Sequence, residues 1–268
     1  MTARPTRLTT ARDILDIKVP SDPVFSPDGK TVAYVVWRMD EESDGYFTSI
    51  HVASADGSSV TRLTNANARD TSPRWSPCGQ YVAFISSRSE KPQIWMIRAG
   101  GGEAWQVSHL DTGISAFAWS PDGSQLVAVS KSVEGESDAD DSTKSDVKHI
   151  TTIRYKSDDE GFLDGKNRHL WIVPAFGGDA RQLTNADVHD VDPIWSPNGR
   201  EIAFVTNRTE GRSWNTVREI WVVLAAGGGE RRLLGGDSAA FGDPSWSPDG
   251  SKLAAIGHWE AEAGGSPD

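Results

Sequence analysis

The sequence predicts an all-β fold, a β-propeller of four-stranded antiparallel blades, with four complete blades and half of a fifth forming an incomplete ring. Two observations carry this. A Ser-Pro-x-Gly tetrapeptide with an aromatic residue before it occurs five times along the 268 residues, and a second apolar anchor sits at a fixed place between successive copies. The eleven tryptophans and 26 glycines follow the same register, as expected of a repeat architecture.

Residues 1–21 read as a lead-in. Thr10-Ala11-Arg12-Asp13, ahead of Ile14, Leu15 and Ile17, has the pattern of a capping box before a short helix. The propeller spans 22–268. Its tetrapeptides begin at Ser26, Ser76, Ser120, Ser196 and Ser247, separated by 50, 44, 76 and 51 residues, and Phe25, Trp75, Trp119, Trp195 and Trp246 precede them. The first strand of each unit ends at this aromatic. Pro followed by a polar residue and Gly then suits a tight turn with glycine in the left-handed region. The second strand is a continuous apolar run, as in Val82-Ala83-Phe84-Ile85 and Ile202-Ala203-Phe204-Val205, which predicts burial on both faces.

The third strand carries the second anchor: Ile50-His51, Ile94-Trp95, Leu170-Trp171 or Ile220-Trp221. Twelve residues on, the fourth strand ends at Leu63, Val107, Leu183 or Leu233, and the next anchor serine follows after 13 residues three times and 14 once. Blades are thus expected at about 22–64, 72–108, 115–184, 192–234, with a half-blade at 243–256. The third holds an acidic insertion, residues 131–149, followed by segments around 150–156 and 161–165 that read as an extra hairpin. Propellers close with roughly four to eight blades, and the half-blade fits neither a four- nor a five-bladed ring. The sequence therefore reads as cut short.

Composition narrows the function classes. A net charge of -11 and a pI near 5.0 speak against a nucleic-acid partner. One cysteine, Cys78, excludes an intrachain disulfide framework and fits a reducing compartment. No early basic and apolar leader and no long apolar run is visible, so a cytoplasmic chain without a membrane span is expected.

No catalytic, cofactor or metal residue emerges. A nucleophile elbow needs Gly-x-Ser-x-Gly between strand and helix. Ser238 sits in Gly236-Asp237-Ser238-Ala239-Ala240 and Ser266 in Gly265-Ser266-Pro267, and neither fits. His51, His109, His149, His169, His189 and His258 lack metal-ligand spacing. Asp138, Asp140 and Asp141 lack the glycine and closing glutamate of a calcium loop, and Asp158-Asp159-Glu160-Gly161 is as weak. Gly227-Gly228-Gly229 precedes a strand rather than a helix, so it reads as a turn and not a phosphate loop. The tryptophans read as core packing, Cys78 as an exposed turn residue, and Arg88 and Glu90 as exposed loop charges.

Three segments carry a family resemblance: Ser21-Asp22-Pro23 running into Phe25-Ser26-Pro27-Asp28-Gly29-Lys30, Gly101-Gly102-Glu103-Ala104, and Ser115-Ala116-Phe117-Ala118-Trp119-Ser120. Together with Arg154-Tyr155-Lys156, Gly161-Phe162-Leu163-Asp164-Gly165 and Gly257-His258-Trp259-Glu260, they resemble the prolyl oligopeptidase family, in its acylaminoacyl-peptidase and dipeptidyl-aminopeptidase-like branch. The resemblance implies a serine peptidase whose propeller screens short peptides for a C-terminal α/β-hydrolase domain, which this chain lacks. On that reading the chain alone is inactive, its partner is its own hydrolase domain, and the parent's substrates are short peptides. Two alternatives stay open: a non-enzymatic TolB-like propeller binding a protein partner, and a short propeller that self-associates through open blade faces.

Overall fold

The structure is a computed structural model that describes residues 8–65, 67–132, 155–157, 161–162 and 166–260. The acidic run with Asp138, Asp140 and Asp141, together with His149 and Ser266, lies outside the described residues. The chain divides into two compact units, residues 1–106 and 107–268.

The first unit opens with a 3₁₀ stretch, Ala11–Asp16, at whose start the Asp13 carboxylate accepts the Thr10 N–H at 2.6 Å. Two four-stranded antiparallel sheets follow. The first is β1 (Val19–Phe25), β2 (Thr31–Asp40), β3 (Gly45–Ser54) and β4 (Val60–Arg62); the second is β5 (Asp70–Trp75), β6 (Tyr81–Ser86), β7 (Gln93–Arg98) and β8 (Trp105–Gln106). Each is a plain meander, as short connections between successive strands require. Ile50 and Leu63 of the first sheet pack on Val82, Phe84 and Ile97 of the second. Residues 82–86 of β6 are all buried, matching the continuous apolar run. In β2 only Ala33 and Val35 are fully buried, because among the described residues just one face of that sheet is covered.

The second unit contains a sheet of β9 (Ala116–Trp119), β10 (Gln125–Ser132), β13 (Asn167–Pro174) and β14 (Arg181–Gln182), with the small hairpin of β11 (Lys156–Ser157) and β12 (Gly161–Phe162) between its second and third strands. The next sheet is β15 (Asp190–Trp195), β16 (Glu201–Thr206), β17 (Glu219–Leu224) and β18 (Arg231–Leu234), and a two-stranded sheet of β19 (Ala240–Trp246) and β20 (Leu253–His258) comes last. Val127, Leu170 and Leu183 pack on Ile202, Phe204 and Val223. Phe204, like Phe84, is 0% exposed; burial of one such ring is worth about 1.5–3 kcal/mol.

The Ser-Pro-x-Gly turns are self-contained. In the first, Gly29 N–H bonds the Ser26 carbonyl at 2.8 Å with φ at +70°. The Ser26 hydroxyl donates to Asp28 at 2.6 Å and accepts Thr31 N–H at 3.0 Å, while Asp28 also accepts Lys30 N–H. The same set recurs around Ser120 with Asp122, Ser196 with Asn198, and Ser247 with Asp249. A short polar side chain two residues after the serine closes the turn, which explains the composition of the repeat.

Two features depart from the plain repeat. Asp22, Ser72, Asp192 and Asp243 each stand before a proline and hold φ between +47° and +53°, and the first strand of each of these sheets slips register there. These are β-bulges: the residue turns left-handed, and proline takes a place where no ladder N–H is needed. β9, with Ala116 and Phe117 instead, pairs without a break. The second departure explains the single 14-residue spacing. Ile220 faces Leu234 and Trp221 faces Arg232, so Leu233 is an extra residue bulged out of β18. Leu234 packs inward and Leu233 is 45% exposed, so the residue matching Leu63 and Leu183 is Leu234 rather than Leu233.

Candidate functional site

Toward the end of the second strand in the second, third and fourth sheets, the apolar interior gives way to buried polar residues. Ser86 and Thr206 close β6 and β16, Ser130 lies two residues from the end of β10, and Gln93, His169 and Glu219 stand beside them on the third strands. All six are at most 4% exposed. Buried polar groups need partners, and in the second and fourth sheets these partners form an ion-pair cluster.

Asp70, fully buried at the start of β5, accepts the Ser86 hydroxyl at 2.6 Å and Arg88 Nη2 at 2.8 Å. The Arg88 guanidinium lies over the rings of Phe84 and Trp95, 5.4 and 5.2 Å from their centroids. The fourth sheet repeats this with Asp190, Arg208, Phe204 and Trp221: Arg208 Nη2 is 3.2 Å from Asp190, and its carbon sits 4.6 Å from the Trp221 ring. Here two more carboxylates join. Arg208 Nη1 bonds Glu230, and Glu219 accepts the Trp221 indole N–H at 3.0 Å and Arg232 at 2.9 Å. His169 Nδ1 stands 3.9 Å from Asp190 and, like Thr206 Oγ1, has no hydrogen-bond partner among the described residues.

The signal for these clusters lies in the sequence, although Asp70, Asp190, Arg208 and Glu230 do not stand out there. Asp is six residues before the anchor serine and Arg twelve after it in the second and fourth units. The same two places hold Phe241 and Trp259 in the last sheet, where the rings meet edge to face at 4.9 Å. The pairing of positions is kept while its chemistry changes. Arg88 is therefore not a free loop charge, its side chain being 19% exposed and held by Asp70, whereas Glu90 is exposed.

Ser238 lies exposed in the loop between β18 and β19, with no helix after it. Among the described residues no three His, Cys, Asp or Glu side chains come together as metal ligands, and no helix is long and apolar enough to cross a membrane. His51 bonds Ser49 and lies by Tyr34, and burial, aided by Arg62 and Lys18, holds its imidazole below the usual value. Cys78 takes the turn position of Asp28; the Ser76 hydroxyl at 3.3 Å, with the Gln80 amide, lowers its thiol from the ordinary range. Of the tryptophans in register, Trp195 is buried and Trp75, Trp95, Trp119, Trp171, Trp221 and Trp246 are half-buried. Trp75 and Trp195 each donate an indole N–H to a carbonyl of the preceding sheet's first strand, Val24 at 3.1 Å and Ala118 at 3.3 Å.

Repeated four-stranded blades with serine-proline turns define the class, a β-propeller. The family model of the TolB beta propeller domain matches residues 15–161, and the chain belongs to that family. It is 32% identical over 223 residues to the uncharacterized peptidase YuxL of Bacillus subtilis, a match covering 81% of this chain and 34% of the relative. Dipeptidyl-peptidase 5 of Porphyromonas gingivalis is 26% identical over 255 residues, covering 88% of this chain and 37% of that protein. The acylaminoacyl peptidase of Pyrococcus horikoshii shares the fold with a TM-score of 0.70 at 22% identity, over 92% of this chain and 36% of that one. The chain thus spans about a third of the length of the peptidases it matches.

Proposed function

We propose that this chain is the propeller portion of a serine peptidase of the prolyl oligopeptidase family, and that it screens peptides on their way to an α/β-hydrolase domain of the same polypeptide. The observation that carries the reading is the match over 81% of the chain to a peptidase of which it spans 34%. A second support is chemical: among the described residues, no serine stands between a strand and a helix in an elbow. The reading includes a cytoplasmic location, supported by the single cysteine. The alternative of a partner-binding TolB-like propeller has less support, since both relatives are peptidases by name.

The test has two arms. The 268-residue chain is incubated with acyl-peptide and dipeptidyl chromogenic substrates, with no turnover expected; hydrolysis stopped by a serine-directed inhibitor overturns the assignment. The reading frame after residue 268 is then sequenced, with a Gly-x-Ser-x-Gly elbow expected downstream. Where that longer protein is active, the screening role requires it to cleave short peptides and spare the same cleavable segment inside a folded protein.

A further inference from the structure

The two ion-pair clusters are built on the same plan, yet only one is complete. In the fourth sheet the Arg208 guanidinium has two carboxylate partners, Asp190 on Nη2 and Glu230 on Nη1, and the Trp221 indole N–H has a third, Glu219. In the second sheet Arg88 has Asp70 on Nη2, and among the described residues its Nη1 has no carboxylate. The pairing of Trp95 with Gln106, and of Trp221 with Arg232, puts Ala104 at the place of Glu230. Gln93 stands where Glu219 stands, and the buried Trp95 Nε1 has no acceptor among the described residues, whereas the Nε atoms of Arg88 and Arg208 lack one alike.

We propose that this corner of the second sheet binds a carboxylate from outside the chain, at the place that the Glu230 carboxylate fills in the fourth. The chemistry matches. A guanidinium presents paired N–H donors in a plane that a carboxylate meets with both oxygens. The Phe84 and Trp95 faces hold the guanidinium fixed before a ligand arrives. Ala104 puts a methyl group where the sister site has a glutamate side chain. Asp70 neutralises one edge of Arg88 only, and at 19% exposure the side chain still reaches solvent. The inference is independent of any peptidase activity, since it rests on an internal comparison of two sheets.

The carboxylate has two sources, a small organic acid or the free C-terminus of a peptide, and the test separates them. In ¹⁵N-labelled 268-residue chain, the Trp95 indole cross-peak is assigned by Trp95→Phe and followed during titration with acetate, with a short peptide, and with the same peptide amidated at its C-terminus. Saturable movement with acetate assigns the site to small carboxylates in general. Movement with the free peptide but not with acetate or the amide assigns it to peptide termini. No movement with any probe, or equal movement with the amidated peptide, overturns the proposal. Arg88→Lys is expected to weaken binding about tenfold or more, since it loses the planar fork. Ala104→Glu supplies the carboxylate in cis, so it is expected to abolish the titration and raise Tm by about 2–4 °C. A titration unchanged by Ala104→Glu in a folded variant also sinks the idea.

Discussion

Asp70 and Asp190 are the charged residues whose loss leaves the most behind. Truncating Asp70 strands the Arg88 guanidinium, 19% exposed, against two aromatic faces. Breaking a buried pair in this way costs about 3 kcal/mol or somewhat more. The Arg12–Glu41 pair, with side chains 78% and 60% exposed, is a contrast: its removal is expected to cost less than about 0.5 kcal/mol. Urea denaturation of Asp70→Ala and Arg12→Ala checks both, and equal midpoints would refute the ranking. The turn carboxylates give a prediction in pH. Hydrogen bonds from Ser26, Ser120 and Ser247 lower Asp28, Asp122 and Asp249, the last from 3.8 to about 2. A carboxyl whose folded value is depressed stabilises fully above its unfolded value, and the contribution fades as pH falls through the folded one. The amide resonances of Lys30, Ser124 and Ser251, which donate to these carboxylates, are therefore expected to shift between pH 4 and 2. Arg200 N–H, bonded to the uncharged Asn198, is the internal control and is expected to stay in place.

At the level of strands and turns, the periodic parts of the fold were legible and the bulges were not. Ser-Pro-x-Gly turns and the apolar runs of β6 and β16 are set by neighbours within a few residues, so residue identity reports them directly. The bulges at Asp22, Ser72, Asp192 and Asp243 depend on ladder register, for which the following proline was the available hint. Leu233 shows the cost of counting alone, because one inserted residue moves the packing role to its neighbour. Leu234→Ala is expected to destabilise by about 2 kcal/mol and Leu233→Ala by less than about 1. Thermal melts of the two variants decide this, and a larger loss for Leu233 would contradict the register. The ion-pair clusters were hidden for a different reason. Their Asp and Arg lie 18 residues apart and recur in two units out of five, too sparsely for a repeat to announce them.

On the scale of the molecule, family and architecture could be read early because every unit restates them, whereas the candidate carboxylate site is visible only in the folded chain. It is defined by a difference between two sheets, Ala104 against Glu230, and that difference gains meaning only when Arg88 and Arg208 are known to be buried alike. The last sheet also leaves Ile256 74% exposed and Trp259 61% exposed. Apolar side chains on an open sheet promote association, so the 268-residue chain is expected to sediment faster as concentration rises, and Ile256→Lys to reduce that trend. A sedimentation coefficient independent of concentration would argue against it. The indole hooks have a consequence for how the protein is made. Trp75 and Trp195 each reach back to a strand made earlier, Val24 and Ala118. Both latches close on a segment that has already left the ribosome, so the second sheet can clasp the first, and the fourth the third, in the order of synthesis.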